Sequence, residues 1–166
     1  LIEKCMILIE ESRFSMKDRE SALGEAKGDR ERLIVECSFD TLDKGLYKAK
    51  KHGLIDFLDM LWIPVIENVE VPVKDRYSIV YIDEVQDITY TTYKLFQKFI
   101  SPNGRFVAVG DERQRINGFA GSYSGIFDDL LGIGNTELMT LPVSFRCPKS
   151  IIRLAQKIVP EIKYHE

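Results

Sequence analysis

Two short runs of β-branched and aromatic residues, each ending abruptly in acids, constrain this chain more than any other feature. Tyr77-Ser78-Ile79-Val80-Tyr81-Ile82 leads into Asp83-Glu84-Val85-Gln86-Asp87, and Phe106-Val107-Ala108-Val109 leads into Gly110-Asp111. Short apolar runs bounded by turn signals read as buried strands of a parallel sheet. Between them, residues 89–100 place Tyr93, Phe96, Phe99 and Ile100 at helical spacing, and Ser101-Pro102-Asn103-Gly104 closes the helix. Strand, helix, strand in that order predicts a right-handed crossover between parallel neighbours. The expected fold class is α/β.

Upstream the pattern is helical. Leu1, Cys5, Leu8 and Ile9 fall at helical spacing, a charged stretch runs from Lys17 to Arg32, and Leu42, Leu46 and Ala49 share a helical face before a break at Gly53. Leu54, Ile55, Phe57, Leu58 and Leu61 resume the pattern, and the texture changes after Pro64 and Pro72. Residues 1–62 are therefore expected to form a mostly helical segment and residues 63–166 an α/β portion. Beyond the second strand the pattern predicts a glycine-bearing loop, a short helix at Ile126–Leu131, a strand at 137–141 and a helix at 148–159 that Pro148 opens.

A length of 166 residues suits one domain, and a net charge of -3 lacks the basic footprint of a protein that binds nucleic acid mainly through phosphates. Any DNA contact must be local or shared with other parts. Cys5, Cys37 and Cys147 are odd in number and form no CxxC, which fits neither a disulfide framework nor a zinc site. A reducing cytoplasm is the expected compartment. The longest apolar runs fall far short of the ~20 residues that cross a bilayer, so no membrane association is expected. The chain opens on Leu1 rather than Met, as a piece of a longer protein would.

Three constellations carry chemistry. In open parallel sheets ligands bind beyond the carboxyl ends of the strands, where Asp83 to Asp87 lie. Phosphoryl transfer to water needs a carboxylate to hold Mg²⁺ and a second group to orient the water, and adjacent acids at a strand end supply both. An acidic turn that only caps the next helix is the equal alternative. The second constellation runs from Gly110 and Asp111 through Gln114 and Arg115 to Phe119 and Gly121: glycine admits close backbone approach, and a Gln amide can sense a phosphate oxygen. Phe119 could stack on a base or fold into the core. In the third, Ser144-Phe145-Arg146-Cys147-Pro148, Arg146 is either a γ-phosphate clamp or an ordinary solvated arginine.

Taken in order, these segments resemble the UvrD/Rep/PcrA-type superfamily 1 DNA helicases, whose corresponding motifs read DExQD, GDxxQxIxxΦxG (Φ aromatic) and NYR. Ile55-Asp56-Phe57-Leu58-Asp59-Met60-Leu61 is similar to the family's DFDDL segment. The resemblance spans about residues 45–160. It implies a partial RecA-like P-loop NTPase core with a parallel sheet, preceded by a helical insertion, in an enzyme that uses ATP and Mg²⁺. It implies that Asp83 holds the metal with Glu84, that Glu84 activates water, and that Gln114 contacts the γ-phosphate. By the same resemblance Arg146 serves as a finger, Gln86 and Asp87 couple the site to neighbouring motifs, and Asp83, Gln86, Asp87, Gly110 and Asp111 are the residues that bind the nucleotide cofactor.

DNA contact falls to Arg115, Asn117 and Phe119, although Asn117 stands where the family has Tyr and Ala120 where it has Arg. Single-stranded DNA, duplex junctions and the remaining helicase domains are the implied partners, with 3′-to-5′ translocation. No GxxxxGK[ST] occurs in the chain, so no amide nest and lysine hold the phosphates. The chain taken alone is therefore expected to be inactive. A non-catalytic binding module and an RNA-directed relative are the rival readings. In the intact protein, Phe119→Ala is expected to weaken single-strand binding by about 1–3 kcal/mol with little change in melting temperature. A stability loss of ~3–5 kcal/mol with unchanged DNA affinity would place the ring in the core instead.

Overall fold

The structure, a computed structural model, describes residues 2–116 and 121–165. Asn117 and Phe119, with the expectation that they contact DNA, lie outside the described residues. By compactness the chain divides into residues 1–128 and 129–166.

The first part begins with α1 (Ile2–Ser15), α2 (Arg19–Glu25), α3 (Asp29–His52) and α4 (Phe57–Ile66). On α3, Ile34, Val35, Ser38, Phe39 and Leu42 recur every three to four residues and are buried along one stripe. Ala22, Val35, Phe39 and Leu42 form the core of this part, with Leu8, Ile9 and Trp62 packed against it. Asp29 and Glu31 sit in the first turn of α3, and Lys50, Lys51 and His52 in its last, matching the helix dipole. Gly53 ends it in the left-handed conformation that glycine adopts freely, its N–H donating to Ala49 O at 2.9 Å. The charged stretch after Lys17 holds α2, whose Arg19 pairs with Glu36, Asp40 and Asp43 of α3. These exposed pairs set register more than stability.

Asp56 starts α4 with a capping box: its carboxylate accepts from Asp59 N at 2.8 Å, and that of Asp59 accepts from Asp56 N at 3.0 Å. Both carboxylates also accept from Arg13 Nη2 on α1, Asp56 at 2.6 Å. The pattern break expected after Pro64 does not end this helix. Proline removes one helical hydrogen bond and crowds the preceding turn, yet α4 runs on to Ile66 with Pro64 inside it.

Next come β1 (Tyr77–Ile82), α5 (Tyr90–Phe99) and β2 (Ile100–Ala108). The strands pair in parallel, as the strand–helix–strand order predicts, with Val80 opposite Phe106 and Ile82 opposite Ala108. Ser101 to Gly104, expected as a loop, fall within β2 where the register shifts between Tyr77 and Ile79. The expectation that both strands are buried is corrected: Tyr81 is 74% exposed and Val109, just past β2, 55%. Among the described residues the sheet has two strands, and most of its apolar side chains, among them Tyr77, Ile79, Tyr81 and Val107, are exposed.

The chain continues through α6 (Ile126–Leu131), at the expected bounds. In residues 129–166 the strand expected at 137–141 is absent; β3 (Val143–Ser144) instead pairs in parallel with β4 (Lys163–Tyr164). An apolar run without a ladder partner has no strand to form. Pro148 caps α7 (Lys149–Ala155), shorter than expected, with its carbonyl accepting from Ile151 N and Ile152 N. Among the described residues no helix is long and apolar enough to cross a membrane.

The hydrogen bond from Arg13 is the main cause that holds the Asp56 carboxyl below its ordinary value. A depressed carboxyl stabilises the fold above its unfolded pKa, about 3.9, and that contribution is lost as pH falls through the lower folded value. Asn caps a helix as well as Asp does, so Asp56→Asn removes the charge and keeps the cap. Its melting temperature is expected to be lower than that of the parent at neutral pH. The two are expected to converge in acid melts below about pH 4.

Candidate functional site

The site is built where the two parallel strands end together. Past β1 and β2 the ladder continues: Val109 N donates to Ile82 O at 2.8 Å, and Val85 N donates to Val109 O at 3.0 Å. These bonds bring the acidic turn after β1 alongside the Gly110 loop after β2. Residues Val85–Asp87 make one 3₁₀ turn. To enter it, Glu84 adopts φ 47° and ψ 46°, a left-handed conformation that costs a non-glycine residue roughly 1–2 kcal/mol. Asp83 Oδ1 accepts from Glu84 N at 2.9 Å and steadies that strained step.

Gln86 joins the two turns. Its side chain is 2% exposed; Nε2 donates to Glu84 Oε2 at 2.6 Å, and Oε1 accepts from Asp111 N at 3.1 Å. Asp111 in turn accepts from Arg113 N at 3.0 Å through Oδ1 and from Gln114 Nε2 at 2.9 Å through Oδ2. Glu84, Gln86, Asp111 and Gln114 are thus one hydrogen-bonded chain of groups. It leaves the Glu84 and Gln114 side chains at the solvent-facing end, both exposed. Gly110 is required by proximity: a Cβ there would collide with Gln86 Oε1 and lie 2.8 Å from Val85 Cγ1.

The sequence-predicted residues do not all fall in one place. Asp83, Glu84, Gln86, Gly110, Asp111 and Gln114 are brought together. Asp87 stands beside them with its Oδ1 buried and without a hydrogen-bond partner in the structure. Arg115 is exposed, its N–H donating to Glu112 O at 3.3 Å. Arg146, exposed between β3 and α7, belongs to residues 129–166. The left-handed backbone of Glu84 and the double role of Gln86 carry no signal in residue identity alone, since each depends on contacts across the strand pair.

Magnesium takes one or two protein carboxylates and completes its shell with water and phosphate oxygens. Asp83 and Glu84, adjacent and exposed at a strand end, fit that demand, and the orphaned Asp87 oxygen is an acceptor still to be satisfied. A cavity of about 270 Å³ lies elsewhere, among α1, α2 and α3, lined by Leu8, Ala22 and Val35.

An acidic turn and a glutamine-bearing turn are thus locked together at parallel strand ends. The chain belongs to the UvrD/Rep helicase N-terminal domain family, whose signature matches residues 4–131. It is 30% identical over 129 residues to the ATP-dependent DNA helicase Rep of Salmonella typhimurium, covering 74% of this chain and 18% of that protein. It is 31% identical over 122 residues to the putative ATP-dependent DNA helicase YjcD of Bacillus subtilis, covering 70% of this chain and 16% of that protein. DNA helicase II of Haemophilus influenzae is 26% identical over 132 residues, covering 76% of this chain and 17% of that protein. The chain therefore spans less than a fifth of the length of these relatives.

Gly110→Ala is expected to force Gln86 and Val85 apart and to destabilise the chain by about 1–3 kcal/mol, as overpacking does. Denaturant titration reads the loss. An unchanged midpoint would mean that the two turns are not held as closely as described.

Proposed function

We propose that residues 63–166 supply the magnesium-and-water half of an ATPase site in a RecA-like motor domain, and that residues 1–62 correspond to the helicase insertion subdomain. The intact protein is then an ATP-dependent DNA helicase that translocates 3′-to-5′ on single-stranded DNA and opens duplex junctions in the cytoplasm. The Gln86 bridge is the observation that carries this reading, because it couples the water-activating candidate Glu84 to the phosphate-sensing candidate Gln114. The DNA-helicase names of the relatives support it.

In this reading Asp83, with Glu84, would hold Mg²⁺, which when bound would supply charge neutralisation for phosphoryl transfer. Glu84 accepts a hydrogen bond from the attacking water and orients it. Its bond to Gln86 keeps the carboxylate from rotating away, and Gln114, anchored on Asp111, reaches the γ-phosphate. Asp87, Gly110 and Asp111 frame the nucleotide. Arg146 would stabilise charge that develops in the transition state, once the remaining helicase domains close on ATP. Arg115, Asn117 and Phe119 would meet the single strand. The apolar side chains left open on β1 and β2 support further elements of the same domain packed over the faces of this sheet. A second reading, a non-catalytic helicase-like binding module, applies if the intact protein has no GxxxxGK[ST], which does not occur within these 166 residues.

The two readings part on kinetics. In the intact protein Glu84→Gln is expected to bind nucleotide normally and to abolish turnover, while Arg146→Ala cuts turnover by ~10³-fold or more. Hydrolysis and unwinding should fall together, and the 166-residue chain alone should not exceed background hydrolysis. Steady-state ATPase rates with parallel nucleotide affinities check this. Near-normal turnover in Arg146→Ala would make that residue an ordinary surface arginine, and no turnover in the intact parent would favour the binding module.

A further inference from the structure

Arg13 is a charged residue that the site above does not use, yet it is 9% exposed and makes contacts in three directions. Its Nη2 donates to Asp56 Oδ1 at 2.6 Å and to Asp59, and its guanidinium carbon stands 6.0 Å from the Trp62 ring centroid. Its backbone carbonyl accepts from Thr91 Oγ1 at 2.5 Å. Thr91 is 1% exposed and lies in the first turn of α5, two residues after the N-cap Thr89. One residue of α1 therefore grips the N-terminal turns of both α4 and α5.

Burying a guanidinium costs desolvation that an apolar contact would avoid, so such a pair is better at fixing geometry than at adding stability. The geometry fixed here leads directly to the acidic turn. From Thr91 back to Glu84 the backbone is tied at nearly every step. Thr92 N donates to Thr89 Oγ1 at 3.1 Å, and Ile88 O accepts from Tyr123 N at 2.9 Å. Asp87 N donates to Glu84 O at 2.9 Å. A segment held at this density moves as a unit. A displacement at Thr91 therefore reaches the strained Glu84 and the Gln86 bridge.

We propose that Arg13 is a positioning residue for the acidic turn, setting the place of Glu84 through Thr91 and the first turn of α5, so that the N-terminal helices and the hydrolytic turn are energetically coupled. The link to catalysis rests on the proposed role of Glu84, whereas the coupling itself can be tested on the 166-residue chain. The readouts are the Gln86 side-chain amide resonances and hydrogen exchange at Asp87 and Ile88, compared across variants. Arg13→Ala keeps the carbonyl that Thr91 donates to but removes the bonds that tie α1 to Asp56 and Asp59. By loosening α1 it is expected to shift the Gln86 amide and to speed exchange roughly five- to tenfold. Arg13→Lys should restore part of the effect.

Val35→Ala, in the core of α1 to α3, is the control for general destabilisation and should leave the Gln86 amide in place. If Arg13→Ala does not fold, Thr91→Val keeps the volume, deletes the hydroxyl bonded to Arg13 O, and should give the same shift. Unmoved Gln86 resonances in Thr91→Val, or equal shifts in Val35→Ala and Arg13→Ala, would overturn the proposal. In the intact protein Thr91→Val is expected to lower kcat for ATP with KM little changed. A parent without turnover, together with a shifted Gln86 amide, would retain the coupling and reject only the ATPase reading.

Discussion

The parallel pairing of β1 with β2 is the constraint on which the site depends. It sets Ile82 opposite Ala108, so the acidic turn and the Gly110 loop leave the sheet at the same level. A slip of one residue would invert which side chains face which surface and part the two turns. Two further backbone hydrogen bonds carry the ladder beyond the strands, and buried Gln86 closes it. Each such bond contributes only about 1 kcal/mol net, but their arrangement leaves the Glu84 carboxylate a small range of positions. Preorganisation of this kind is what electrostatic catalysis uses.

Local chemistry made part of this legible in advance. Acids at the end of an apolar run mark a strand end, a glycine after basic residues marks the close of α3, and the order of the motifs points to the family. What could not be read depends on residues remote in sequence. Arg13 and Asp56 are 43 positions apart, and no periodicity links them. The strands are apolar enough to be buried, yet burial depends on what covers them, which a strand's own residues do not encode. Residues 137–141 have β-forming character, but a strand exists only with a partner, and the partner of β4 is Val143–Ser144.

Stability and chemistry are unevenly divided along the chain. The N-terminal helices own a core of Ala22, Val35, Phe39 and Leu42. The sheet that bears the candidate site keeps much of its apolar surface in contact with solvent. Arg13 spans the difference, because it belongs to the helical layer by packing and to the sheet layer by its hold on α5.

The left-handed backbone of Glu84 has an evolutionary corollary. Glycine would occupy that conformation without steric cost, so folding alone favours losing the glutamate there. Under the proposed role of Glu84 in orienting water, a lineage that hydrolyses nucleotide would resist that drift, whereas a copy relieved of the task would gain a small amount of stability by yielding to it. Among relatives whose chemistry is in doubt, the residue at this one position would then separate working motors from retired ones.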